Sequence, residues 1–367
     1  MTRLRVRTRV LTLLLLSGAA SPLAAQRATA ARTAAAGDSV DRIIRAEMMR
    51  GHIPGVALAV VRGGRTIKLA SYGVADLEHG VPVTPKTAFK IGSLSKQFLA
   101  SGIMLLQQDG KLRIDDSVAK YISGTPVAWR PVTLRHLLSH TSGIQREGPA
   151  FDPLKVQADS VVIASAFAAP LLFPTGSKHE YCNVCYFTLA EIIARVSGKP
   201  WDVFFAERVF TPLGMTATRA TTVRELVPHR ARGYSWSKDR IINADEYLAL
   251  RPSGAFISTL EDMVKWNAAL DAGRMLSATS LSAMWTPAAL TNGSNAAYGF
   301  GWRLDSLDGR WRVHHGGSLP GFRAEWARFP AESLSIILLT NADGVVSVQN
   351  IVENVARAYL PVAGGGR

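Results

Sequence analysis

Cysteine is scarce in this chain of 367 residues, which contains only Cys182 and Cys185. Two cysteines are too few to hold together a disulfide-rich scaffold. The sequence also contains no internal repeat and no low-complexity linker, and its hydrophobic and charged fractions, 47% and 19%, are ordinary for a globular protein. These absences exclude a disulfide scaffold, a collagen and a disordered chain, and they leave a folded body with its own hydrophobic core.

Acidic residues are also few, because 28 Asp and Glu stand against 42 Lys and Arg, for a formal net charge of +14. Four of the basic residues lie within the first ten positions, namely Arg3, Arg5, Arg7 and Arg9. The others are scattered singly, with no basic run and no basic helix face, so the charge pattern does not favour a nucleic-acid partner. A basic surface near anionic envelope polymers fits the pattern better.

Long apolar runs are absent after the first segment of the chain. Residues 1–25 combine the arginine-rich head with a short apolar run at 10–16 and an Ala-Ala pair before Gln26, which is typical of a secretory signal peptide. The apolar run is far shorter than the roughly 20 residues of a membrane span. We therefore expect cleavage after Ala25, a flexible lead-in over 26–37, and a periplasmic or secreted protein without an integral membrane span.

Strand-like patterns lie at both ends of the remaining chain and helix-like patterns lie between them. The strand-like segments are 56–61, 66–72, 299–304, 311–315, 322–329 and 334–339. This arrangement predicts an α+β fold, in which one antiparallel sheet is built from both termini and flanked by helices. We expect residues 38–90 and 290–362 to form this sheet domain, and residues 91–289 to form a mainly helical inserted domain that carries the nucleophile.

The first chemical motif is Ser-x-x-Lys, formed by Ser93 and Lys96 at the start of an amphipathic helical segment. This spacing stacks the lysine over the serine on one helix face. A hydroxyl is a weak nucleophile until a base takes its proton, and a lysine amine can do so once burial lowers its pKa. Ser235 and Lys238 repeat the spacing in a charged stretch without apolar periodicity, so we expect that copy to lie in a solvated loop.

The second motif is Tyr-x-Asn, formed by Tyr181 and Asn183 in a loop before a helical segment. A phenol can relay a proton between the lysine, the nucleophile and the leaving group. The asparagine amide can hydrogen-bond a substrate carbonyl or the lysine. The motif therefore supplies the groups that a Ser-Lys pair needs for acyl transfer.

The third motif is His314-His315-Gly316-Gly317, at the end of a predicted strand. The glycines let a substrate lie against the strand edge, and the Gly317 N–H can act as the second oxyanion donor beside that of Ser93. Both His314-x-Gly316 and His315-x-Gly317 fit the pattern His-x-Gly, so two strand registers remain open.

In this order the three motifs resemble those of the serine penicillin-recognising, β-lactamase-related family. That family includes class C β-lactamases, D-alanyl-D-alanine carboxypeptidases and related esterases and peptidases. The resemblance covers about residues 38–360, and further similar stretches lie at 72–78, 137–144, 212–216, 257–263 and 298–302. It implies a β-lactamase/transpeptidase-like fold.

The resemblance also implies a role for each motif. Ser93 would be the acylated nucleophile, and Lys96 and Tyr181 would form the proton-transfer pair. The substrate-side contacts that it implies are Asn183, His314, Gly316 and Gly317.

The function that the resemblance implies is a secreted serine hydrolase acting through an acyl-enzyme on esters or on amide and peptide bonds. Its substrates would be small-molecule esters, peptides or β-lactams, with cell-wall peptide included, and it implies no cofactor and no metal. A true class C-like β-lactamase is the alternative, but the third motif has histidine where class C enzymes carry lysine, and a neutral imidazole offers less to a carboxylate. A non-catalytic penicillin- or wall-binding protein is the alternative from a different class, and the presence of both Ser93 and Lys96 disfavours it.

Three other interpretations of single residues stay open or are disfavoured. His179, Cys182 and Cys185 have a spacing that could start a zinc site, but a structural zinc needs a fourth ligand and no further cysteine exists. The two cysteines can instead form a local disulfide, which export favours, or remain two small loop residues.

His140 could be taken for a catalytic base, although the family context favours a structural role. The sequence contains no Gly-x-Ser-x-Gly, and this absence disfavours an α/β-hydrolase.

Overall fold

A computed structural model of the chain describes residues 22–220, 222–247, 252–344 and 347–360. Most of the leader predicted at residues 1–25 therefore lies outside the described residues. Within the described ranges, no helix combines the length and the apolar character needed to cross a membrane.

The first helix, α1, spans Pro22–Gly51 and is longer than its sequence pattern indicates. It includes residues 26–37, where we expected a flexible lead-in. This segment is rich in alanine, the residue with the highest intrinsic helix propensity, which accounts for the difference.

The other elements follow the expected order of strands, helices and strands again. The helices are α2 (Ser95–Gln108), α3 (Leu134–Leu138), α4 (Asp159–Ala166), α5 (Asn183–Ser197), α6 (Trp201–Phe205), α7 (Leu260–Asp271), α8 (Ala278–Met284) and α9 (Val348–Tyr359). The strands are β1 (Gly55–Arg62), β2 (Arg65–Asp76), β3 (Val81–Pro82), β4 (Ala88–Lys90), β5 (Arg219–Ala220), β6 (Tyr234–Ser237), β7 (Arg240–Asn243), β8 (Phe256–Thr259), β9 (Ala288–Ala289), β10 (Asn295–Ala296), β11 (Arg303–Leu307), β12 (Arg310–Leu319), β13 (Phe322–Phe329) and β14 (Leu334–Thr340).

The main sheet of the described residues has seven strands in the order β11-β12-β13-β14-β1-β2-β3. The two ends of the chain meet where β1 pairs antiparallel with β14, so that Leu58 lies opposite Leu338. The predicted α+β fold, with one antiparallel sheet built from both termini around a mainly helical middle, is confirmed. The segment Ala88–Lys90, which we grouped with this sheet, pairs instead with β8 in a small separate sheet.

The two faces of the main sheet bury different cores. Along β14, Ile336 and Leu338 pack with the apolar faces of α1 and α9, whereas Ile337 and Leu339 belong to the larger core under the inserted helices. This alternation follows from the period of two in a strand. The sheet is therefore a middle layer, and the inserted helices cover the face that carries the candidate site.

A buried ionic cluster lies on the α9 side of the sheet. His314 of β12 directs Nδ1 to Glu325 Oε1 at 2.8 Å and Nε2 to Asp305 Oδ2 at 3.2 Å. Arg312, on the same face of β12, bonds both Asp305 and Glu353 of α9. Burial by itself lowers the pKa of His314, but the hydrogen bonds to Asp305 and Glu325 outweigh it and raise that pKa above its usual value. Both ring nitrogens face carboxylates, so the imidazolium is the form that this cluster stabilises.

This cluster predicts a pH-dependent stability. A histidine whose pKa is raised in the folded state stabilises the fold fully below its unfolded pKa, about 6.5, and this contribution is lost as the pH rises through the folded pKa. We expect the free energy of unfolding of wild type to decrease over this pH range and that of His314→Gln not to, as measured by urea unfolding of both proteins between about pH 5 and pH 9. His229→Asn changes an exposed histidine; it is the control and should keep the decrease seen in wild type. A constant difference between wild type and His314→Gln across the range would contradict the prediction.

Candidate active site

Ser93 and Lys96 meet at the start of α2. Ser93 lies in the short turn Gly92–Leu94 that leads into the helix, and Lys96 lies in its first turn. Lys96 Nζ is 3.2 Å from Ser93 Oγ, and Lys96 is fully buried whereas Ser93 is half-buried. The serine hydroxyl therefore reaches the cleft while the amine stays beneath it.

The Lys96 amine is held by two further oxygens from distant parts of the chain. It donates to Asn183 Oδ1 at 2.8 Å and to the Ser253 carbonyl oxygen at 2.9 Å. These two bonds leave one position of the nitrogen facing Ser93. A neutral amine has its lone pair at that position and can accept the serine proton, and an ammonium has an N–H there and can return it.

Tyr181 lies among cations at the rim of the cleft. Lys96 Nζ is 4.7 Å from the centre of its ring, and the guanidinium carbons of Arg146 and Arg303 are 5.1 and 5.9 Å from it. The two guanidinium charges beside this phenol favour negative charge at this end of the cleft. The structure thus brings together Ser93, Lys96 and Tyr181.

Asn183 is placed differently from the substrate contact that the resemblance implies. Its Oδ1 accepts from Lys96, and its Nδ2 donates to Glu147 Oε1 at 2.5 Å. The residue is 6% exposed and does not line the cavity described below. In this structure Asn183 therefore binds Lys96 and Glu147, and its role as a substrate contact stays a prediction.

The turn between Tyr181 and Asn183 is fixed by a disulfide between Cys182 and Cys185. Of the three open interpretations of these cysteines, the local disulfide is the one found, and it leaves neither sulfur as a thiolate for a metal. Cys182 also caps α5, because its Sγ accepts from the Cys185 N–H. His140 Nδ1 accepts from the Cys182 N–H, and burial, together with nearby Lys96, lowers the pKa of His140 well below its usual value. His140 is therefore neutral and supports the turn, as the family context favours.

The structure resolves the ambiguity between the two histidines of the third motif. His315 lines the cavity, whereas His314, which we expected on the substrate side, belongs to the ionic cluster on the other face of the sheet. His315 Nδ1 donates to the Gly316 carbonyl at 2.6 Å, and its Nε2 accepts from Tyr298 Oη at 2.9 Å. Burial, with Lys96 and Arg303 nearby, lowers the pKa of His315 well below its usual value, so the imidazole is neutral.

Strand register decides which backbone N–H groups face the cleft. β11 and β12 are joined by a two-residue turn at 308–309, so the even-numbered residues from Arg310 to His314 pair their backbone with β11. That pairing stops at His314, which leaves Gly316 and Ser318 facing an open edge, whereas Gly317 pairs with β13. The Gly317 N–H, which we expected to be an oxyanion donor, therefore points to β13, and the Ser318 N–H is the one that faces the cleft.

Two glycines let this edge lie directly against the nucleophile. Gly92 has a φ of +52°, and a Cβ on it would lie 2.6 Å from the Ser318 nitrogen. A Cβ on Gly317 would lie 1.9 Å from the Ile91 carbonyl oxygen. No other residue fits at either position without moving the backbone, so these glycines bring the Ser318 N–H next to Ser93.

The site opens into a cavity of about 470 Å³ lined by Ser93, Tyr181, His315 and the open edge of β12. The cavity also reaches past β12 to Val348 at the start of α9, so its charged lining residues include Glu325 of the ionic cluster together with Arg146, Arg303 and Arg323. Sequence reasoning missed all four, as it missed Glu147, because single charged residues in separate segments carry no motif.

The Ser-x-x-Lys of Ser235 and Lys238 does not form a comparable site. Ser235 lies in strand β6, not in the solvated loop that we expected, and its hydroxyl donates to Asp343 Oδ2 at 2.9 Å. Lys238 lies in the turn that follows, with a φ of +49°. In a strand and turn this spacing does not stack the two side chains as it does in a helix.

Comparisons with known proteins find similar proteins over most of the chain. The β-lactamase family model matches residues 40–359. Penicillin-binding protein 4* of Bacillus subtilis (strain 168) is 30% identical over 327 residues, which are 83% of this chain and 72% of that protein. A D-aminopeptidase of Cereibacter sphaeroides (strain ATCC 17029 / ATH 2.4.9) is 29% identical over 316 residues, and the match spans 83% of this chain but 60% of that enzyme.

A solved structure extends the similarity to three dimensions. The crystal structure of D-amino acid amidase from Ochrobactrum anthropi SV3, complexed with L-phenylalanine, superposes with a TM-score of 0.78 at 26% sequence identity. The superposition covers 88% of this chain and 98% of that one. The resemblance inferred from the three motifs is confirmed: the chain belongs to the β-lactamase family, as a serine hydrolase of the β-lactamase-related type.

Proposed function

We propose that this protein hydrolyses ester or amide bonds of small substrates through an acyl-enzyme formed on Ser93. The observation that carries the proposal is the buried Lys96 amine, 3.2 Å from Ser93 Oγ and held in place by Asn183 and Ser253. A buried amine with one position directed at a serine hydroxyl is the arrangement that activates a nucleophile.

The acylation step uses groups already in place. Ser93 Oγ attacks the substrate carbonyl carbon and its proton passes to the pair formed by Lys96 and Tyr181. The carbonyl oxygen becomes an oxyanion, which the N–H groups of Ser93 and Ser318 stabilise. The proton then passes to the leaving alcohol or amine as its bond to the carbonyl carbon breaks. Water repeats the sequence on the acyl-enzyme and releases the acid.

The activities of similar proteins favour an amide or peptide of a D-amino acid as the acyl donor. A D-aminopeptidase and a D-amino acid amidase are both among the similar proteins. The neutral His315 offers no fixed charge on β12 to a β-lactam carboxylate. Esters and D-amino-acid amides do not need that contact, so we infer that they are the better substrates.

A class C-like β-lactamase is the second candidate, and one observation favours it. Arg146, Arg303 and Arg323 line the cavity and offer cations to an anionic substrate. Arg146 and Arg303 lie beside the Tyr181 ring, however, and not at the His315 position on β12. We therefore keep esters and amides as the first candidates.

Export to the periplasm or the exterior is part of the proposal. The arginine-rich head and short apolar run of residues 1–25 support it. The disulfide between Cys182 and Cys185 supports it too, since disulfides persist in oxidising compartments outside the cytosol.

We expect Ser93→Ala to lower turnover of p-nitrophenyl acetate at least about a thousandfold, because it removes the hydroxyl that lies 3.2 Å from the Lys96 amine. A fluorophosphonate probe should add its mass to Ser93 and leave the variant unlabelled. Ser235→Ala is the matched control and should retain its activity, since Ser235 bonds Asp343 and does not line the cavity. Turnover that survives in Ser93→Ala would contradict the prediction and indicate a different nucleophile.

We expect D-amino-acid p-nitroanilides and short p-nitrophenyl esters to be hydrolysed with a kcat/KM at least about tenfold above that of a chromogenic cephalosporin. This is the lower end of the effect of losing one charge-assisted hydrogen bond. His315→Lys, which restores a cation on β12, should shift the ratio towards the cephalosporin. If the unmodified enzyme prefers the cephalosporin, the second candidate replaces the first.

A further inference from the structure

A side chain outside the three motifs contacts the catalytic groups. Glu147 Oε1 accepts a hydrogen bond from Asn183 Nδ2 at 2.5 Å, and Asn183 Oδ1 accepts from Lys96 Nζ at 2.8 Å. Lys96 is in turn 3.2 Å from Ser93 Oγ. The Glu147 carboxylate, the Asn183 amide, the Lys96 amine and the nucleophile therefore form one continuous chain of hydrogen bonds.

The carboxylate determines which way the Asn183 amide faces. An amide offers an acceptor on one side and a donor on the other, whereas a carboxylate only accepts. Glu147 therefore binds the NH₂ side and directs the carbonyl oxygen to Lys96. The flipped amide would place its oxygen against a carboxylate and its N–H groups against the amine, and both contacts would be unfavourable.

The loop that carries Glu147 is fixed to the start of α5. The Arg146 carbonyl oxygen accepts from the N–H groups of Asn183 at 2.7 Å and Val184 at 3.2 Å. Gly148 packs against α4 so closely that a Cβ there would lie 2.3 Å from the Val162 carbonyl oxygen. The carboxylate is thus held beside the N-terminus of a 15-residue helix, where the helix dipole favours negative charge.

We propose that Glu147 is the positioning residue of this acyl-transfer site. Its carboxylate orients the Asn183 amide, the amide holds Lys96 in line with Ser93, and the negative charge stabilises Lys96 while it carries the serine proton. The inference rests on the proposed function and adds to it a residue that acts through Asn183. Glu147 does not line the cavity, so its effect falls on kcat and not on KM.

Two substitutions separate the orienting role from the charge. Glu147→Ala removes both, and we expect kcat for a p-nitrophenyl ester to fall about tenfold to a hundredfold, the effect of losing one hydrogen bond to a charged group, with KM nearly unchanged. Glu147→Gln keeps an acceptor for the Asn183 amide but removes the charge. It should retain most of kcat at its optimum and move the pH–rate profile to lower pH, because the protonated lysine loses its stabilising charge.

A double variant tests this chain of hydrogen bonds directly. Asn183→Asp alone sets two carboxylates against each other and should lower kcat strongly. Adding Glu147→Gln restores a donor at position 147, so the double variant should be at least about tenfold more active than Asn183→Asp. A merely structural glutamate would not produce this rescue. Glu180→Ala, which removes an exposed glutamate beside Tyr181, is the matched control and should leave kcat unchanged.

The rate at which a fluorophosphonate labels Ser93, measured by intact mass, tests the proposed function and the positioning role of Glu147 separately. Absence of label on wild-type Ser93 would refute the proposed function. Label on wild type at a rate equal to that of Glu147→Ala, or a double variant no better than Asn183→Asp, would refute the positioning role alone. If Glu147→Ala does not fold, Glu147→Gln and the double variant decide, since both preserve the size of the side chain.

Discussion

Everything at this site depends on keeping one amine buried. An amine or ammonium removed from water is costly unless its hydrogen-bonding positions are filled. Lys96 meets this requirement with oxygens from the turn before α2, from the start of α5 and from the segment before β8. The three segments are far apart in sequence, so the inserted helices must pack correctly before the lysine can be accommodated. Reactivity and core packing are therefore consequences of the same contacts.

The parts of the site that sequence could predict are local ones. Ser93 and Lys96 are three residues apart on a helix, and Tyr181 and Asn183 flank one residue, so spacing alone indicates their chemistry. The fold class followed in the same way, because the periods of strands and helices are visible in short windows. The long α1 was underestimated, since alanine-rich sequence lacks the apolar periodicity by which a helix is recognised.

The parts that sequence could not predict depend on contacts between distant segments. Glu147 and Asn183 are 36 residues apart, and nothing in either stretch indicates that they touch. The choice between His314 and His315 depends on which face of β12 meets the inserted helices. That choice is set by pairing with β11, and the Asp-Gly turn at 308–309 was a usable signal for it. The pairing of Cys182 with Cys185 was an open alternative that only the geometry of the turn could decide.

The open edge of β12 has a cost that concerns the whole molecule. Backbone groups left unpaired at a sheet edge are a template for strands of other chains, and folded proteins protect such edges from self-association. Here the exposed stretch is short, since β11 covers β12 as far as His314 and the turn into β13 follows Leu319. Arg303 and Arg323 add positive charge beside it. Short and charged edges resist pairing with strands of other chains, so the arginines that border the candidate site also act against self-association.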